Sequence, residues 1–104
     1  MIGLGTWKFT VDTAIYKGDA LLHIKDNDGQ YDMKCELVGM DKAGMDAVTI
    51  AEEGENTLTG IAATNLLKGK DIPFTVTFEN GVANGFLKVP FIGKLKLKDG
   101  QKIA

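Results

Sequence analysis

The chain has 104 residues, of which 44% are apolar and 25% charged, and its formal net charge at pH 7 is −2. This length fits one domain spanning residues 1–104, because domains cluster at about 100 to 150 residues around a single core. All 12 cationic residues are Lys. Without the planar Arg fork that grips phosphates, and without a basic surplus, we expect no nucleic acid partner.

The predicted elements begin with a strand over residues 6–12. Trp7, Phe9 and Val11 alternate there with polar residues, which is the period of two typical of a half-buried strand. These three side chains are therefore expected to point into the core.

A hairpin is predicted next. Strands over residues 21–25 and 31–37 have matching alternation and flank the turn DNDG. The Asp28-Gly29 dipeptide tolerates positive φ, which favours a tight antiparallel connection.

Further strands and two weak helical segments complete the chain. The strands are expected at residues 47–51, 57–65 and 73–78, followed by a broken strand over 83–93 bent near Pro90 and a short strand over 94–100. Only residues 41–47 and 62–70 could hold a helical turn or two. Seven or eight strands joined mainly by short turns predict an all-β fold, a small antiparallel up-and-down β-barrel.

Metal ligands and catalytic groups are scarce in this sequence. Residues 26–32 hold three Asp, but Gly29 is fourth and Leu37 twelfth, where a helix-loop-helix calcium loop needs Gly sixth and Glu twelfth. The chain lacks Ser, and strand parity puts the single His23 and the single Cys35 on opposite faces. We predict no catalytic residue, no metal site and no cofactor, and keep an enzyme using His23 or a Tyr as a third reading.

The apolar interior leaves two alternatives open, a filled core or a partial pocket. Small inward residues, among them Gly60 and Gly85, would leave room at one end, while a chain this short needs most of its apolar side chains for stability. If a pocket exists, Tyr16, His23 and Tyr31 are the polar groups expected at its mouth. The predicted ligand-binding residues are Trp7, Tyr16, His23, Tyr31, Phe74 and Phe78.

A short motif in the first strand resembles a known class of proteins. Gly5-Thr6-Trp7 resembles the glycine-x-tryptophan that opens lipocalins, and GTWK resembles the opening of fatty-acid-binding proteins; both belong to the calycins. The resemblance implies an up-and-down barrel that binds a small hydrophobic molecule, with Trp7 packed across the closed end. The stretch WKFTVDT is also similar to the start of small bacterial calycin-like β domains, which implies an accessory or interaction role.

We therefore expect a non-enzymatic barrel that binds a small, largely apolar molecule, or alternatively an accessory subunit of a larger enzyme or complex. The contact patch for a protein partner or a second copy would draw on Ile2, Leu4, Met40, Met45, Leu66, Leu67 and Phe91. No apolar run approaches the roughly 20 residues of a membrane span, and the N-terminal residues lack a secretion pattern. A cytoplasmic location without a membrane partner is expected.

Overall fold

The computed structural model describes residues 1–14, 16–40 and 44–104. Eight antiparallel strands form a closed barrel in which each strand pairs with its neighbours in chain order, and β8 pairs with β1. This confirms the predicted all-β, up-and-down barrel. The strands are β1 (Gly5–Asp12), β2 (Lys17–Asn27), β3 (Gln30–Leu37), β4 (Met45–Glu53), β5 (Thr57–Thr64), β6 (Ile72–Glu79), β7 (Val82–Val89) and β8 (Gly93–Lys102).

Two hairpins turn on dipeptides in which both residues have positive φ. Asp28 and Gly29 have φ of 52° and 87° between β2 and β3, and Asn80 and Gly81 have 53° and 75° between β6 and β7. Such turns match the right-handed twist of the flanking strands. The hairpin predicted at Asp28-Gly29 is confirmed.

The closing part of the chain differs from its sequence-based description. The broken strand expected over 83–93 ends at Val89 as β7, and residues 90–92, with Pro90 first, form the turn to β8, which contains the short strand expected over 94–100. Proline has no N–H to donate to a ladder, so the strand ends before it. Of the two weak helical segments, residues 62–70 end β5 and then form a single 3₁₀ turn at Asn65–Leu67, capped by Thr64. Residues 41–43 of the other segment lie outside the described residues, and its residues 45–47 are in strand β4 rather than in a helical turn.

The core fills most of the barrel interior. Phe9, Ile24, Leu58 and Ile72 are its largest fully buried side chains. Side chains alternate along each strand between the inside and the outside of the barrel. The inward ones meet in the interior and form one apolar cluster. Its buried members are Trp7, Phe9, Val11, Ala20, Leu22, Ile24, Met33, Leu58, Ala62, Ile72, Phe74, Val76, Ala83, Leu87 and Leu97.

The inward glycines allow close approach rather than leaving room. A Cβ on Gly60 would collide with the backbone oxygen of Thr49, and one on Gly85 with that of Thr75. Glycine at such positions lets neighbouring backbones come nearer than a side chain would permit. The interior is therefore tight at these two points of the barrel wall.

The seam between β3 and β4 is weakly paired. Among the described residues, only Lys34 with Asp46 and Cys35 with Met45 are in register there, as few pairs as between β1 and β8. Every side chain of β4 is at least partly exposed, and Val48, at the irregularity of the β4–β5 register, is 66% exposed. β4 therefore depends mainly on its full-length pairing with β5.

Candidate functional site

The two ends of the barrel differ, and the end where β1 begins is covered by residues 1–4. Trp7 donates a hydrogen bond from its indole Nε1 to the carbonyl oxygen of Gly3, at 2.8 Å. The rings of Trp7 and Phe78 lie 4.9 Å apart at an interplanar angle of 52°, a tilted contact. Gly3 lies against the Phe78 ring. We call this the covered end.

Tyr31 ties the N-terminal segment to the seam at the covered end. Its hydroxyl accepts a hydrogen bond from the backbone N–H of Ile2 at 2.6 Å and donates a short one to the carboxylate of Glu52. The bond to Glu52 joins β3 to β4 on the covered-end side of their paired residues, Lys34 with Asp46 and Cys35 with Met45. Burial, followed by the hydrogen bond to Glu52, raises the pKa of Tyr31.

The middle of the barrel is nearly filled. A cavity of about 30 Å³ remains among apolar side chains that include Met33, Phe74 and Leu87. That is room for little more than one water molecule, and its apolar walls offer water few partners. The centre of the barrel therefore has no space for a ligand.

The opposite end, which we call the mouth, holds a larger cavity of about 300 Å³. It lies where β1, β3, β5 and β7 end, and the 3₁₀ turn and the β7–β8 turn contribute to its wall. Fully buried Ile72 and half-buried side chains of β7 and β8 form its apolar lining. The lining residues are Thr13, Tyr16, Leu37, Met40, Met45, Thr64, Leu66, Leu67, Ile72, Val89, Ile92 and Leu95.

The polar groups of the mouth cavity already have partners within the chain. The Tyr16 hydroxyl lies 2.7 Å from the carbonyl oxygen of Asp19 and 2.8 Å from that of Val38. Thr13 Oγ1 bonds to the backbone of Tyr16, and Thr64 Oγ1 accepts from the backbone N–H of Leu66. No charged side chain lines the cavity among the residues that the structure describes. Its surface therefore favours an uncharged, apolar occupant.

His23 lies on the outer face of the barrel. Its Nδ1 is 3.0 Å from Thr6 Oγ1, and its Nε2 is 2.7 Å from a carboxylate oxygen of Glu36. Cys35 is on the inward side of β3, since it pairs with buried Leu22 while His23 pairs with Lys34. The predicted separation of His23 from Cys35 is correct.

Cys35 has the properties of a structural thiol. Burial, followed by the nearby charge of Glu36, raises its pKa to about 11. A reactive thiol needs a lowered pKa, because the thiolate is the nucleophile. In the described parts of the chain, no group of three His, Cys, Asp or Glu side chains could hold a metal ion.

The six predicted ligand-binding residues are spread over the molecule. Trp7, Tyr31 and Phe78 lie at the covered end, Phe74 borders the small central cavity, and His23 is on the outside. Tyr16 alone among the six lines the mouth cavity. Met40, Met45, Leu66 and Leu67, predicted as part of a contact patch, line that cavity as well. Their common signal in the sequence is an apolar side chain in or beside a polar, glycine-containing loop.

No family model, no curated protein and no solved structure matches this chain. None of the helices in the described ranges is long and apolar enough to cross a membrane. The geometry of the barrel is thus the basis for any functional conclusion.

Proposed function

We propose that this protein binds a small, largely apolar molecule in the cavity at the mouth of the barrel. The observation that carries the proposal is the contrast between a filled centre and an apolar cavity of about 300 Å³ at one end. Binding sites for small molecules are mostly apolar concavities of about 300 to 1,000 Å³, so this cavity is at the lower limit. An occupant with up to three rings fits that volume.

The chemistry of the lining narrows the class of ligand. Burying a charge without a partner costs several kcal/mol, and the described lining carries no charged side chain. The polar groups of Thr13, Tyr16 and Thr64 are bonded within the chain. The proposed ligand is therefore held by shape and apolar contact, with its uncharged part buried.

Two methionines make the site adaptable. Met40 and Met45 both border the cavity, and a methionine side chain adjusts to ligands of different outline because it is unbranched and polarisable. The closed eight-stranded barrel is compatible with the calycin resemblance of Gly5-Thr6-Trp7, and the ligand class that this resemblance implies supports the same proposal. Among the six residues predicted from the sequence, this proposal keeps Tyr16 as a lining residue.

The test is a pair of substitutions on one strand. Val89 lies at the mouth end of β7 and borders the cavity, so Val89→Trp fills it. Val82 begins the same strand at the covered end and points outward, since its neighbour Ala83 is fully buried. Val82→Trp is thus the matched control. The probe is N-phenyl-1-naphthylamine, an uncharged dye that fluoresces in apolar surroundings.

We expect saturable dye binding to the unmodified protein and to Val82→Trp, and binding at least about tenfold weaker in Val89→Trp, because the added indole occupies the volume of the dye. Equal binding by all three proteins would contradict the proposal. Native mass spectrometry of gently purified protein gives an independent test. A retained small molecule should add its mass to the unmodified protein but not to Val89→Trp.

A further inference from the structure

The most exposed large apolar side chain in the described chain is at the tip of the β7–β8 turn. Phe91 is 90% exposed and has φ of 69°. A bulky residue in the left-handed region is uncommon, because Gly, Asn or Asp adopts it at less cost. The turn therefore presents a large apolar ring to solvent although the backbone there favours another residue.

Two further apolar side chains surround Phe91. Ile92 is 51% exposed, and Leu66, in the neighbouring 3₁₀ turn, is 59% exposed. Both border the mouth cavity. Lys70 Nζ lies 5.6 Å from the centroid of the Phe91 ring, so the 3₁₀ turn and the β7–β8 turn are adjacent. We call Leu66, Phe91 and Ile92 the tip cluster. Exposed apolar groups gathered in this way mark interaction sites.

Four lysines belong to the two turns of the tip cluster or to the strand residues next to them. Lys68 and Lys70 follow the 3₁₀ turn, while Lys88 and Lys94 are cross-strand partners just below the β7–β8 turn. Like charges on opposed strands repel, and here Lys94 Nζ lies over the Phe86 ring, 4.2 Å from its centroid, a cation–π contact that offsets part of that repulsion. None of the ion pairs found among the described residues involves these four lysines, although Asp71 is next to Lys70 in sequence. We call the four the lysine collar.

We propose that the tip cluster and the lysine collar dock the mouth of the barrel onto an anionic lipid bilayer. Apolar side chains at the end of the barrel would enter the headgroup region, and lysines behind them would meet the negative surface. Basic residues near such a surface and apolar residues at the acyl boundary are the two contributions that hold a peripheral protein there.

A bilayer fits this arrangement better than a protein pocket does. The apolar tips come from two separate turns around the opening of one cavity, which suits a broad, flat partner. Lysine carries a compact charge that suits a diffuse anionic surface, whereas paired recognition of carboxylates favours Arg, and the chain has none. The proposal departs from our expectation of no membrane partner, which rested on the lack of a spanning segment. Docking requires no ligand in the mouth cavity.

The experiment is co-sedimentation with vesicles of equimolar phosphatidylserine and phosphatidylcholine, compared with phosphatidylcholine alone. Phe91→Asn removes the ring and puts a residue that tolerates positive φ at that position. Val48→Asn is the matched control, since Val48 is 66% exposed on β4, outside the tip cluster. We expect binding to the anionic vesicles only, about tenfold weaker in Phe91→Asn and unchanged in Val48→Asn.

A second pair of variants tests the charges. Lys68→Gln with Lys70→Gln removes half of the collar, and Lys25→Gln with Lys102→Gln removes the same charge at the covered end. At about 1 kcal/mol for each lysine near an anionic surface, the collar variant should bind roughly thirtyfold more weakly. The control pair should change binding by less than about threefold. Added salt should weaken the binding of the unmodified protein to anionic vesicles, because it screens the lysine charges.

Three results would overturn the proposal. These are no sedimentation with anionic vesicles, equal binding by the Phe91→Asn and unmodified proteins, or equal losses in the collar variant and its control. If the protein does not bind vesicles but binds a soluble protein partner in a way that requires Phe91, the docking proposal is wrong and an accessory role is favoured instead. Phe91→Asn should bind the dye normally, because Phe91 does not line the mouth cavity, so failure of dye binding and failure of docking are separate outcomes.

Discussion

The covered end and the mouth of this barrel use apolar residues in opposite ways. At the covered end, Trp7, Phe78 and Gly3 contact one another, and the N-terminal segment is fixed by hydrogen bonds. At the mouth, Leu66, Phe91 and Ile92 remain more than half exposed beside an apolar cavity. Apolar side chains are thus packed together at one end of the barrel and left exposed at the other.

On the proposed function, this difference places stability and binding at opposite ends of the barrel. Substitutions at the covered end should change the free energy of unfolding, and substitutions at the mouth should change binding with little effect on folding. Because a chain of this size is stabilised by only about 5 to 15 kcal/mol, the covered end is expected to account for a large share of it.

The largest effect is expected for Trp7→Ala. Trp7 is 5% exposed, and removing its ring leaves a cavity beside Phe78 and an unpaired carbonyl at Gly3. We expect a loss of about 3 to 5 kcal/mol in urea unfolding. Leu66→Ala, at the mouth, should stay within about 0.5 kcal/mol. Comparable losses in the two variants would remove the distinction between the ends.

A smaller effect is expected for Gly3→Ala, for which the mouth side provides a matched control. Gly3 and Gly69 have φ of 70° and 74°, but a Cβ on Gly3 would lie 2.5 Å from Phe78 Cζ, while nothing lies within 4 Å of one on Gly69. Both alanines pay the left-handed penalty of about 1 kcal/mol, and Gly3→Ala should cost about 1 kcal/mol more. Equal unfolding free energies would mean that the N-terminal segment does not pack on Phe78.

Tyr31→Phe should cost about 1 kcal/mol near neutral pH, because it removes the hydroxyl that joins Ile2 to Glu52. Hydrogen exchange should quicken in β4, which has few other bonds to β3.

The same variant tests the alkaline range. The folded-state pKa of Tyr31 is raised above its ordinary value of 10.0, so the unfolded chain loses this proton first. The contribution of the protonated Tyr31 hydroxyl to the free energy of unfolding is complete below pH 10.0 and is lost as pH rises through the folded-state pKa. Cys35, whose pKa is raised to about 11, also lowers stability at alkaline pH, but equally in the unmodified protein and in Tyr31→Phe. The unmodified protein should therefore lose more stability at alkaline pH than Tyr31→Phe, and parallel pH profiles would contradict this.

The smallest effect is expected for Phe91→Asn. Phe91 is 90% exposed and has positive φ, so asparagine should be neutral or stabilising by up to about 1 kcal/mol. Urea unfolding measures it directly. A clear loss of stability would show that the ring contributes to the fold, which would weaken its assignment to a docking surface.

Much of the barrel wall could be predicted from local pattern. Alternation in β1 identified Trp7, Phe9 and Val11 as inward, and the Asp28-Gly29 dipeptide located a hairpin. The candidate site was less predictable, because a period of two gives the face of each residue but not its height along the barrel axis. Tyr16 and Tyr31 were grouped on chemistry, yet they lie at opposite ends.

By itself the sequence determined the class of fold, the inward face of the first strand and the absence of Arg and Ser. These are local properties, set by side-chain alternation, turn residues and composition. Tertiary structure alone decided that Gly3 and Phe78 meet at one end, and that Met40, Leu67 and Leu95 enclose a cavity at the other. The physical reason is closure: only when β8 pairs with β1 do residues distant in the chain share one end of the barrel.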